Sequence, residues 1–129
     1  MSEIHDIKTT QLYSRHLQAG GKMVSFAGYL MPVQYSSGIM QEHLHTREQA
    51  GLFDVSHMGQ FIVQGVGAAL ALEGLMPVDL EALAINQQTY ATFTDVSGGI
   101  SDDLIVTRWA EDTFFLIVNA ACKAQDFQR

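Results

Sequence analysis

The sequence predicts an α+β fold, an antiparallel sheet with helices packed on it, and three observations carry that prediction. The second half of the chain alternates apolar and polar residues in four strand-length runs, with helical spacing before the second of them and after the last. The last three runs are joined by connections too short for a crossover, "DVSGG" and "EDT", which favours antiparallel pairing. Composition is that of a folded domain, 47% hydrophobic and 16% charged, with no low-complexity tract.

The first nine or so residues are polar and are expected to be loose. In "TQLYSRHLQAG", Leu12, His16 and Leu17 are spaced as on a short helix stopped by Gly20 and Gly21. "KMVSFAGYLMPVQY" reads as extended chain punctuated by Gly28 and Pro32. Ser36 and Ser37 are candidate caps for a helix over "GIMQEHLHTREQA", with Ile39, Met40, His43, Leu44 and Arg47 at helical spacing and Gly51 as its stop. "GQFIVQG" is a strand, "AALALEGLM" a helix, and "VDLEALA" a second helical piece or a turn. "QTYATFTD", "DLIVTRWA" and "TFFLIV" are the remaining strands, and "NAACKAQDFQ" is a closing helix with Asn119 as its cap. The order of this half is β, α, β, β, β, α. The closing helix has no stop signal before Arg129 and the opening helix and strand have no obvious partners, so the chain is expected to be part of a larger protein.

Charge and cysteine content exclude several functions. Seven basic against 14 acidic residues give a net charge of -7, which opposes binding to nucleic acid or anionic lipid. There is neither an apolar stretch of membrane-spanning length nor a secretory leader at "MSEIHDIKTT", so no membrane partner is expected and a cytoplasmic or matrix location is. The one cysteine, Cys122, is read as a small apolar group on a helix.

Gly65 and Gly67 lie between a strand and a helix, but Leu70 stands where a dinucleotide loop needs its third glycine, which leaves a tight turn. His43 and His45, two apart on a helix, point to different faces and cannot share a metal ion; one half-buried and one solvated histidine is expected. Asp54, Ser56 and His57 crowd within four residues, whereas triads converge from separate elements. A structural turn with His57 bonded to backbone is expected there. The pair Asp102 and Asp103 is the strongest signal. Consecutive strand residues face opposite sides, and Leu104, Ile105 and Val106 place apolar groups on both faces, so the strand is central and at least one carboxylate is partly desolvated. The competing role is that of a turn aspartate bonding the amides of the Gly98–Gly99 loop.

Four motifs then share an order and spacing: "GGKMVSFAGYLMPVQY", "HLHTREQAGLFDVSHMGQ", "GGISDDLIV" and "LIVNAAC". Together they resemble the N-terminal third of the T-protein family of the glycine cleavage system, the folate-dependent aminomethyltransferases, from about Thr10 to about Asp126. The resemblance implies a three-domain arrangement around a folate channel, with residues 1–52 contributing part of one domain and 53–129 a ferredoxin-like second domain. It implies transfer of an aminomethyl group from the dihydrolipoyl arm of the H-protein, release of ammonia, and delivery of the one-carbon unit to tetrahydrofolate without a metal. It carries the catalytic carboxylate to Asp103, and the folate pocket to Met58, Tyr90 and Asn119. A related demethylase or demethylating oxidase, and a non-catalytic folate-binding module that self-associates, are the alternatives.

Overall fold

The computed structural model describes residues 7–129, which form two compact units, one ending at His57 and the other running Met58–Arg129. The sequence-based boundary at 52/53 falls earlier. Residues 53–57 stay with the first unit because Asp54 is bonded to its helix and His57 lies against its hairpin. Among the described residues the strands form two sheets, one per unit, and the α+β class with antiparallel sheets is borne out.

In the first unit β1 (Lys8–Thr9) runs parallel to β3 (Tyr29–Gln34), and β2 (Lys22–Phe26) pairs with β3 antiparallel. The opening segment expected to be loose thus contributes a two-residue strand; residues 1–6 lie outside the described residues. The single strand expected over "KMVSFAGYLMPVQY" is a hairpin, because Ala27 and Gly28 both take positive φ (48° and 81°), the conformation of a tight two-residue turn. Pro32 is tolerated inside β3 because β1 ends at the Thr9–Leu30 pair and leaves that edge free. Helix α1 (Tyr13–Gln18) precedes the hairpin, and its end is closed by amides of Gly20 and Gly21 bonding back to Leu17 and His16.

Helix α2 (Ile39–Glu48) forms where its spacing predicts, but Gly38, not a serine, is its cap, and Glu42 reaches back to the Tyr35 amide at 2.7 Å. None of its residues is buried, and His43 and His45 are both exposed, contrary to the expected half-buried and solvated pair. Its apolar residues Ile39, Met40 and Leu44 stay in solvent, so helical spacing here does not report a buried face.

The second unit runs β4 (Gly59–Gln64), α3 (Ala68–Glu73), β5 (Gln88–Thr94), β6 (Ile100–Ala110), β7 (Thr113–Val118), α4 (Lys123–Asp126), in the expected order. Its sheet is β4-β7-β6-β5, antiparallel throughout. One face is the core: Phe93, Leu104, Val106, Phe114, Leu116 and Val118 pack with Ala68 and Leu72 of α3 and with Met76 and Leu80 beyond it. "VDLEALA" is a chain of turns, held because Glu73 accepts the amides of Leu80 and Glu81 and Arg108 donates to the carbonyls of Glu81 and Leu83. Gly65 and Gly67 form the tight turn expected, both at positive φ. Among the described residues no helix is long and apolar enough to cross a membrane.

Candidate active site

Asp102 and Asp103 open β6, and β6 is central, flanked by β5 and β7. The pleat separates the two carboxylates. Asp102 pairs with Phe93 and lies on the core face with Leu104 and Val106, 8% exposed; Asp103 pairs with Thr92 on the opposite face and is exposed. The partly desolvated carboxylate is therefore Asp102.

The loop that delivers this strand is built by a different aspartate. Asp95 Oδ1 accepts the Ser97 amide at 2.8 Å, the Ser97 hydroxyl at 2.6 Å and the Gly99 amide at 2.9 Å, and the Asp95 amide bonds the Gly99 carbonyl. These bonds, the Ser97 hydroxyl foremost, hold the Asp95 carboxyl below its ordinary value. The turn role considered for Asp102 and Asp103 thus belongs to Asp95, and the pair is left to other contacts. Gly98 supplies the left-handed residue of the turn, φ 83°.

Asn119, directly after β7, makes those contacts. Its Nδ2 donates to Asp102 Oδ1 at 2.9 Å, to Asp103 Oδ1 at 3.0 Å and to the Asp103 carbonyl at 3.0 Å, while its backbone amide faces Asp102 Oδ2 at 3.4 Å. All of the side-chain partners are oxygens, so only the amino end of the amide fits there. The expected helix cap is corrected accordingly: α4 starts later, with Cys122 as its cap residue, and the Asn119 side chain turns to the two aspartates. The Asn119 carbonyl accepts the amides of Cys122 and Lys123 and so starts the turn that leads into α4.

Of the other predicted site residues, Tyr90 stands on β5 opposite Ile105, on the same sheet face as Asp103 and one pair along, with its ring 80% exposed. Met58, half-buried, immediately precedes β4, whose first residue Gly59 pairs with Val118 beside Asn119. Glycine is required at 59: a Cβ there would stand 2.6 Å from the Val118 side chain and 2.7 Å from that of Lys123. That close approach lets α4 lie over the end of the sheet and brings Asp126 to Asp102.

Asp126 is the residue that sequence reasoning missed. It is buried, 6% exposed, with its Oδ1 facing Arg129 Nε at 3.4 Å. Burial, then Asp102, push its carboxyl above the ordinary value, with Arg129 Nε at 3.4 Å opposing weakly. Asp102 moves the other way: burial raises it, but the bonds from Asn119 and Asp126 outweigh burial and leave it below its ordinary value. The Cys122 thiol is pushed up by burial and by Asp102. No periodicity marks Asp126, because its partner lies on a strand far back in the chain.

The crowded triplet of the first unit proves structural. Ser56 donates its amide and hydroxyl to Asp54 Oδ1, and Asp54 Oδ2 meets His16 Nε2 at 2.7 Å. His16 Nδ1 in turn meets the Tyr35 hydroxyl at 2.7 Å. His57 is buried edge-on against the rings of Phe26 and Tyr29, with centroids 5.6 and 6.3 Å away.

An α+β protein with an exposed, amide-held aspartate at the start of a central strand is the class that fold and site define. The chain belongs to the family described as the GCVT N-terminal domain, which matches residues 12–129. It is 50% identical over 121 residues to an aminomethyltransferase of Chlorobium limicola, covering 94% of this chain and 33% of that protein. It is 43% identical over 125 residues to a mitochondrial aminomethyltransferase of Dictyostelium discoideum, covering 97% and 31%. The crystal structure of glycine cleavage system aminomethyltransferase T from Bartonella henselae superposes with a TM-score of 0.92 at 46% identity, over 95% of this chain and 34% of that one. The chain thus spans about a third of the length of the relatives it matches.

Proposed function

We propose that this chain carries the reacting carboxylate of a glycine-cleavage aminomethyltransferase, which moves an aminomethyl group from the lipoyl arm of the H-protein to tetrahydrofolate with release of ammonia. Half-identical relatives named aminomethyltransferase support the reading. One observation carries it: the exposed Asp103 carboxylate is held in direction by the Asn119 amide, on the sheet face that also presents Tyr90.

Loss of ammonia leaves a carbon short of electrons, and a carboxylate fixed before the reaction stabilises positive charge without reorganising. Asp103 has that role. Tyr90 offers an exposed aromatic face for a pterin ring, Asn119 an amide, and Met58 an apolar wall. Tetrahydrofolate, when bound, supplies the nitrogen that accepts the carbon. On this reading the first unit, up to His57, belongs to a folate-binding domain and Met58–Arg129 to the domain that bears the carboxylate.

A transfer assay with aminomethyl-loaded H-protein and tetrahydrofolate tests the proposal. Asp103→Asn is expected to abolish product and Asp102→Asn to lower it less. Equal loss from both, or none from either, would overturn the assignment; turnover of N-methyl donors in place of loaded H-protein would move it to a demethylase.

A further inference from the structure

β5 is an edge strand: β6 pairs with one side of it, and among the described residues no strand pairs with the other. Bonds at its two ends show which backbone groups face outward. Just before β5 the Gln87 carbonyl accepts the Arg108 amide, so odd-numbered residues turn toward β6. At the far end the Thr94 amide turns away from β6 and donates to the Leu75 carbonyl at 3.1 Å, so even-numbered residues turn outward. The register shift beside Thr94 leaves this alternation intact, because the extra residue, Ser101, belongs to β6. The amides and carbonyls of Gln88, Tyr90 and Thr92 therefore form an open ladder edge. Among the described residues it meets only the Thr89 hydroxyl, which donates to the Tyr90 carbonyl at 3.2 Å and leaves that oxygen a second lone pair. Nothing in the sequence guards this edge: from Asn86 to Thr94 there is no charged residue and no proline, the usual means of blunting one. In a chain of net charge -7, this uncharged stretch is where two copies approach with least repulsion.

We propose that β5 is a self-association edge, at which a second copy of this chain adds its own β5 antiparallel about a two-fold axis at Tyr90. Outward groups meet outward groups only in registers that pair even-numbered residues, and the register centred on Tyr90 engages all three. It sets Gln88 against the partner's Thr92 and Tyr90 against the partner's Tyr90, each pair exchanging backbone bonds. The two four-stranded sheets then continue as one. The Tyr90 side chains, 80% exposed, face each other across the axis on the sheet face that carries Asp103. The contact uses the same patch on both copies, so it closes at two. It does not depend on the reading of Asp103 as the reacting group.

Sedimentation equilibrium of the 129-residue chain tests it. The average mass is expected to climb from 14.2 kDa toward twice that value as loading rises. The expected Kd is on the order of 100 µM, because so short an edge makes an interface below the standard size. Amide hydrogen exchange at high concentration should slow at Gln88, Tyr90 and Thr92, but not at Thr89, Ala91 and Phe93, which are bonded to β6 already. Tyr90→Lys sets like charges opposite each other at an exposed position; it should weaken association on the order of tenfold at low salt, and high salt should restore part of the loss. Thr92→Pro removes one outward amide and none of those bonded to β6, so it should abolish association while the β6 amides keep their protection. The lysine variant decides even where the proline variant does not fold. A chain that stays monomeric at concentrations on the order of 1 mM overturns the proposal. Association unchanged by Tyr90→Lys overturns it as well, since the contact then lies elsewhere.

Discussion

Asp54 in the first unit and Asp126 in the second have side chains almost wholly out of solvent, 5% and 1% exposed, yet their surroundings are opposite. Asp54 stands among donors: Ser56 gives two bonds and His16 a third. Burial pushes its carboxyl up, but these bonds, Ser56 ahead of His16, win and bring it down to about 2. Asp126 stands against another carboxylate, and its carboxyl goes up. Equal burial therefore goes with a carboxyl held low in one place and one pushed up in the other. Protonation follows the donor count, and burial alone does not decide it.

The comparison is sharpened most by asking which cluster activity needs. Asp103→Asn is expected to lower transfer by roughly a hundredfold or more, the scale for losing one fixed electrostatic contact to a reacting centre, with thermal stability unchanged because the side chain is exposed. Kinetics and calorimetry on the same variant check both halves. In the first unit the ranking is reversed. Asp54→Ala strands the His16 ring and the Ser56 donors and should cost about 3 kcal/mol in urea denaturation.

Acid titration of stability separates the clusters by sign. Asp54, lower in the folded state, contributes stability that is present above its unfolded value near 3.8 and is lost as pH falls toward about 2. The loss is on the order of 1 kcal/mol after allowance for solvent screening. Asp126, higher in the folded state, favours folding at low pH and loses that contribution as pH rises above 3.8. Asp126→Asn should therefore raise stability at neutral pH and remove this limb, while the Asp54 limb persists. A neutral-pH loss of stability in Asp126→Asn would break the contrast.

The smallest effect concerns Cys122, whose thiol is raised by burial and then by Asp102. It should react with iodoacetamide at pH 8 more slowly than free cysteine. In Asp102→Asn its rate should rise by less than about tenfold, since burial remains.

Much of this was legible in the chain itself. Alternation over Gly59–Gln64, Gln88–Thr94 and Thr113–Val118 marks strands because a sheet with one buried face imposes a period of two. The short turns dictate antiparallel neighbours, and the "DD" step before an apolar run places one carboxylate on each face. The two-residue turn at Ala27–Gly28 escaped because alanine is not a turn signal, and α2 deceived because its apolar spacing covers no core.

Local sequence determined the elements, the central place of β6 and the separation of Asp102 from Asp103, since each follows from backbone periodicity and turn chemistry. Only the tertiary structure decided that Asp95 takes the turn amides, that Asn119 leaves the helix-capping role to bind two aspartates, and that Asp126 meets Asp102. Those outcomes depend on how α4 lies over the Gly59–Val118 end of the sheet. Contacts between distant segments, with no period linking them, set which carboxyl is held low and which is pushed up.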